Sequence, residues 1–220
     1  MGVEVVSLSP IGEGPRASII AEALAREGII DAGPRVRGCD NGYESKVIGG
    51  YYRTKTSFVE NVPKHAWDEA TRTLDPSDVL FVDGTVKRSR EVLSAAENAL
   101  NHLPEHVRVV LDVSPVIGIP DGLPTRDVII SMNHREAQEI GKGTADRSLL
   151  DRCAQPLGAA EAVCAAMRRP VVVRAGAQGA YVAHPSVAAT DAVHEDASHV
   201  PTPRVEAIDT NGAGDAHSGV

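Results

Sequence analysis

The chain has 220 residues, 42% hydrophobic and 24% charged, and its 22 basic and 30 acidic side chains leave a net charge of −8. This composition suits a folded α/β domain with a real core, and the acidic balance speaks against nucleic acid or an anionic membrane as the main partner. The cysteines Cys39, Cys153 and Cys164 form no C-x-x-C pair, no apolar run reaches membrane-spanning length, and Met1-Gly2-Val3-Glu4 has no basic start of a secretory signal; the expected setting is a reducing cytoplasm without a zinc site.

In chain order, Val3 to Leu8 is a β-branched run read as a buried strand. Gly12 and Gly14 follow, then Pro15 at a helix-start position, and Ala17 to Arg26 carries Ile19, Ile20, Ala23 and Leu24 at helical spacing until Gly28. A dinucleotide fingerprint at Gly12-x-Gly14 is not expected, because the third glycine and the later acidic residue are absent. Residues 35–60 read as a small flap of strands, namely Arg35-Val36-Arg37, Tyr43 to Ile48 and Arg53 to Val59, with turns at Asp40-Asn41-Gly42 and Gly49-Gly50. A plain edge meander is the alternative.

From Val62 onward strands and helices alternate. His65 to Leu74, Arg88 to Leu103, Asn133 to Ile140 and Gly158 to Met167 read as helices. Val79 to Val82, Val107 to Val113, Val128 to Ser131, Val171 to Val173 and Ala180 to Ala183 read as strands. Residues 141–157 include a loop, and residues 184–204 read as exposed loop or weak strand. Such alternation predicts a mostly parallel sheet with helices on both faces.

Three stretches carry candidate chemistry. Asn133 follows a strand and can cap the next helix, with Glu136 closing a capping box. Arg174 to Gly179 is a loop at a strand end, where glycines allow close approach of a ligand and a tight turn is the plainer reading. Asp112 ends the run Val109-Val110-Leu111, where α/β sheets place ligands, although a turn-forming role is preferred. His65, His102, His106, His184, His194 and His199 show no ligand spacing and read as surface residues.

The last stretch is Asp209-Thr210-Asn211-Gly212-Ala213-Gly214-Asp215-Ala216-His217-Ser218-Gly219-Val220. A run of small residues lets backbone N–H groups converge on an anion, and a helix start adds positive potential there. A carboxylate in that first turn is held ionised and can take a proton from a hydroxyl, which suits phosphoryl transfer to an alcohol. A simple helix start is the alternative.

The string resembles the Asp-Thr-x-Gly-Ala-Gly-Asp signature of the PfkB carbohydrate kinase (ribokinase-like) family, with His217 where that family usually has Phe. Asn133-x-x-Glu136 resembles the family's Asn-x-x-Glu motif, in the family's order. The resemblance implies a ribokinase-like three-layer α/β/α sandwich with a mostly parallel sheet and a small β-strand lid at 35–60. It also implies ATP, Mg²⁺ and a sugar or nucleoside as ligands. In that reading Asp215 takes the acceptor proton, and the N–H groups of Gly212, Ala213, Gly214 and Asp215 hold the phosphoryl charge. Asn133 and Glu136 organise Mg²⁺, Arg174, Gly176 and Gly179 lie along the nucleotide, and Asp209 and Asn211 serve a monovalent cation such as K⁺. Two copies would pair through the lid.

No Gly-Gly-x-x-x-Asn segment of that family is found, since Gly49-Gly50 is followed by Tyr51-Tyr52-Arg53-Thr54. The expectation is therefore a kinase domain cut at both ends, covering 1–220, marginal in stability and poor in activity alone. A non-catalytic nucleotide-binding or interaction module built on the kinase fold is the alternative.

Overall fold

A computed structural model of the chain describes residues 3–42, 44–47, 50–53, 62–83, 90–113, 128–143, 151–185 and 195–204. The chain divides into two compact units, 1–75 with 86–104 and 76–85 with 105–220.

In the first unit β1 (Val6–Ser7) pairs in parallel with β2 (Ile30–Asp31) around α1 (Pro15–Arg26). Proline at N1 costs α1 nothing, because its missing N–H is one of the helix's unpaired donors. Gly14, at the N-cap, has no side chain to cap with, and the cap comes from elsewhere. The Asp40 carboxylate accepts from the N–H groups of Arg16 and Ala17, both at 3.1 Å, and from Arg16 Nε at 2.8 Å. A Cβ on Gly14 would sit 2.1 Å from Asp40 Cγ, so glycine is required there by the approach of the capping residue. Asn41 is buried, and its Oδ1 accepts the Gly12 N–H at 3.0 Å.

Two expectations are corrected here. Asp40-Asn41-Gly42 is not a hairpin turn: Arg35, before it, bridges Ile11, while Asp40 caps α1 and Asn41 bonds the loop at Gly12. Val3 to Leu8 is not a buried strand. Only two residues pair, and Val3 is 88% exposed with Val5 and Val6 about half exposed, since β2 is its only partner among the described residues.

β3 (Glu44–Val47) and β4 (Gly50–Arg53) form an antiparallel hairpin within the stretch read as a flap. Arg35 to Arg37 lies apart from that hairpin. Arg35 bridges Ile11, and Val36 enters the unit's core with Val62, Trp67, Val92, Ala95, Ala96 and Ala99. The last four come from α3 (Arg90–His102), which packs on α2 (Asp68–Arg72). Trp67, the sole tryptophan, donates its indole N–H to Leu8 O at 2.7 Å and so satisfies its one polar atom inside the core.

The second unit is a six-stranded sheet in the order β10-β9-β8-β7-β6-β5. Its strands are β5 (Val79–Asp83), β6 (Arg108–Asp112), β7 (Val128–Asn133), β8 (Val171–Arg174), β9 (Ala180–Pro185) and β10 (Glu195–Val200). β5 to β8 run parallel, and β9 and β10 are antiparallel additions. The sheet is therefore mostly parallel, as expected, and the weak-strand reading of 184–204 holds for Glu195–Val200. Residues 186–194 of that span lie outside the described residues.

Val109, Leu111, Val128, Ile130, Met132, Val171 and Val173 are buried to within 2% exposure, each burial contributing about 1.5–3 kcal/mol. α4 (His134–Gly143) and α5 (Pro156–Met167) pack against β7 to β10 and against each other. α5 does so through small residues, with Ala159, Ala160, Ala162, Val163 and Cys164 buried, which lets the helix lie close to the strands. Among the described residues no helix is long and apolar enough to cross a membrane.

Candidate active site at the strand ends

The register of the parallel strands brings the candidate residues together. Asp112 aligns with Ser131, and Asn133 with Arg174, at the carboxyl ends of β6, β7 and β8. In parallel α/β sheets this is where ligands bind.

At the end of β7 the chain turns directly into α4 through a reciprocal cap. The Asn133 N–H donates to Glu136 Oε2 at 2.6 Å, and the Glu136 N–H donates to Asn133 Oδ1 at 2.9 Å. This capping box satisfies two of the helix's otherwise unpaired donors and fixes both side chains. Glu136 is buried, and burial pushes its carboxyl above the ordinary range; the hydrogen bond from Asn133 and the charge of Arg174 act in the opposite direction.

Arg174, at the end of β8, lies across these residues. Its Nη1 donates to Asp112 Oδ2 at 2.9 Å and to Ser131 Oγ at 2.7 Å, and its Nη2 donates to Asp112 Oδ1 at 3.0 Å. Nη2 also stands 3.9 Å from Glu136 Oε2. The guanidinium thus makes a two-pronged bond to one carboxylate while facing a second, with both side chains of the Arg174–Asp112 pair under 15% exposed.

Beyond Arg174 the loop closes on itself. Ala175 N–H donates to Gly179 O at 2.8 Å around a short 3₁₀ turn at Gly176–Gln178. Gly179 has φ +88° and its missing Cβ would lie 2.2 Å from Val200 O, so both conformation and space demand glycine. This seats the loop against the end of β10, where His199 stacks on Tyr181 with ring centroids 4.7 Å apart and donates to Gln178 O at 2.6 Å.

The structure therefore unites Asn133, Glu136 and Arg174, with Gly176 and Gly179 on the loop that follows. Asp209, Asn211, Gly212, Ala213, Gly214 and Asp215 lie outside the described residues. Asp112, expected to form a turn, is instead the partner of Arg174. Ser131, bonded to the same guanidinium, is a site residue that sequence reasoning misses. An aspartate closing a β-branched run was the available signal for Asp112; Ser131, inside a strand, offered none.

Oxygen donors, one of them a carboxylate fixed by a backbone amide, suit a hard cation such as Mg²⁺. Among the described residues no three His, Cys, Asp or Glu side chains cluster as a metal cage, so a cation here would keep several waters.

The family model for pfkB family carbohydrate kinases matches residues 1–220. The sugar kinase YegV of Escherichia coli (strain K12), itself uncharacterized, is 30% identical over 233 residues, covering 100% of this chain and 65% of that protein. The ribokinase of Thermotoga maritima superposes with a TM-score of 0.65 at 18% identity, over 97% of this chain and 65% of its own. The fructokinase of Vibrio cholerae O395, in a form with fructose, ADP and calcium bound, superposes with a TM-score of 0.68 at 16% identity, over 98% of this chain and 68% of its own. These likenesses carry the ribokinase-like α/β fold. The chain spans about 65% of the length of YegV.

Proposed function

Because the chain belongs to the pfkB family of carbohydrate kinases, we propose that it transfers the γ-phosphoryl group of ATP to a hydroxyl of a sugar or nucleoside. The observation that carries this reading is the reciprocal Asn133–Glu136 pair at the carboxyl end of β7, in a chain that also carries Asp209-Thr210-Asn211-Gly212-Ala213-Gly214-Asp215. Support for a nucleotide and a divalent cation comes from the ADP and calcium of the Vibrio cholerae fructokinase.

In this reading the acceptor oxygen attacks the γ-phosphorus, its bond to the ADP oxygen breaks, and the acceptor proton passes to the Asp215 carboxylate. The N–H groups of Gly212, Ala213 and Gly214 donate to the transferring oxygens, where preorganised dipoles stabilise developing charge. Asn133 and Glu136 would hold Mg²⁺, which when bound would neutralise phosphate charge. Gly176 and Gly179 shape the loop along the nucleotide. Asp209 and Asn211 offer oxygens to a monovalent cation such as K⁺. The setting is cytoplasmic, and two copies pair through the lid at residues 35–60.

The test is a chimera in which YegV supplies the segments that this chain does not span. With Mg²⁺ and ATP it should release ADP in the presence of a sugar acceptor. Asp215→Asn should lower turnover about 10²–10⁴-fold with little change in nucleotide affinity, because Asn cannot accept the proton. Near wild-type turnover in that variant would sink the assignment of the base. Nucleotide binding without turnover of any sugar or nucleoside would favour a non-catalytic nucleotide-binding module instead.

A further inference from the structure

We propose that Arg174 is a positioning residue: bonded to Asp112 and Ser131 at the ends of β6 and β7, it holds Glu136, and with it the Asn133–Glu136 pair, in the geometry that receives the cation. The inference deepens the kinase reading and rests on it for the cation, but not for the positioning.

Three observations carry it. The Nη1–Nη2 edge of the guanidinium is occupied, bonded to the two oxygens of Asp112 at 2.9 and 3.0 Å. The same Nη1 reaches Ser131 Oγ at 2.7 Å, so one side chain ties together the ends of three adjacent strands. Nη2 then faces Glu136 Oε2 at 3.9 Å, the very oxygen that accepts the Asn133 N–H at 2.6 Å. Without Arg174 the buried Glu136 carboxylate and the half-buried Asp112 carboxylate lose their shared counter-charge. Uncompensated buried charge is costly, and Glu136 relieves it by turning toward water and releasing the Asn133 amide. A lysine cannot replace the fork, since a point charge does not bond both Asp112 oxygens and Ser131 while facing Glu136.

The test compares Arg174→Met and Arg174→Lys with wild type in the 220-residue chain, by amide hydrogen exchange and by binding of Mn²⁺ and ADP. In both variants the Asn133 amide should exchange about 10-fold faster or more, while the Ile130 and Val113 amides of the same sheet stay within about twofold. Arg174→Lys keeps the charge and serves where Arg174→Met does not fold. Mn²⁺ affinity in the presence of ADP should fall about 10–100-fold, as for other residues that orient metal ligands, with ADP affinity in EDTA within about twofold. Unchanged exchange at Asn133 would overturn the proposal. So would an equal loss of ADP affinity with and without metal, which would make Arg174 a phosphate ligand. A wild-type chain that binds neither ADP nor Mn²⁺ would count against the kinase reading alone, and the exchange measurement would still decide the positioning role.

Discussion

Asp40 meets four donors at once: the N–H groups of Arg16, Ala17 and Asn41 and the Arg16 guanidinium. Desolvation raises the pKa of its carboxyl, but those hydrogen bonds together outweigh it and hold the group below the ordinary aspartate range. A depressed folded pKa contributes stability above the unfolded value and loses it as pH falls through the folded one. The first unit should therefore hold its stability down to about pH 4 and lose it below. Trp67, the only tryptophan and part of that unit's core, reports the transition by fluorescence. Asp40→Asn should melt earlier at neutral pH and show a flatter acid limb; an unchanged acid limb would remove Asp40 as its source. Asn133→Ala loses the acceptor for the Glu136 N–H, which should cost about 0.5–2 kcal/mol in urea unfolding.

At the scale of elements, α5 ends on Arg168, whose φ of +51° is the only left-handed one among the described non-glycine residues. Its N–H closes the helix on Cys164 O at 2.7 Å. A left-handed L-residue costs about 1–2 kcal/mol, part of which glycine gives back through a freer unfolded chain. Arg168→Gly should thus raise stability by roughly 0.5–1 kcal/mol; a lower melting temperature would show that the Arg168 side chain contributes more than its backbone costs. The small face of the same helix makes the opposite prediction. Ala160 is fully buried, and Ala160→Leu should overpack the helix against the sheet by about 1–3 kcal/mol. A denaturation midpoint equal to wild type would mean that the helix is less closely seated.

For the whole molecule, the balance between exposed apolar surface and net charge governs association. β5 is the outermost strand on one side of the described sheet, and its Val79 and Phe81 are 55% and 44% exposed. Exposed apolar side chains on an outer strand invite pairing with another copy, against which a net charge of −8 works. Raising salt should therefore promote self-association in sedimentation velocity, because screening weakens the repulsion. Phe81→Lys should suppress that association with little change in melting temperature. Salt-driven association that persists in Phe81→Lys would locate the contact elsewhere.

Much of the architecture was legible because its signals are local. Strand runs such as Val107 to Val113, the Ala-rich helix through Met167 and the capping box of Asn133 and Glu136 depend on residues within a few positions of one another. Periodicity and capping chemistry act at that range. The small-residue signature from Asp209 to Asp215 was legible for the same reason. Other features depend on residues far apart in the chain, and only tertiary structure decided them. Asp40 caps a helix 24 residues away, and Arg174 reaches Asp112 across 62. An aspartate carries no mark of which distant donor it will meet; the strand register that aligns β6, β7 and β8, and the fold of the chain over Gly14, choose the partner. Val3 to Leu8 shows the converse. Its β-branched run is a sound local signal for a strand, but burial is conferred by neighbours, and among the described residues β2 is the only strand that pairs with it.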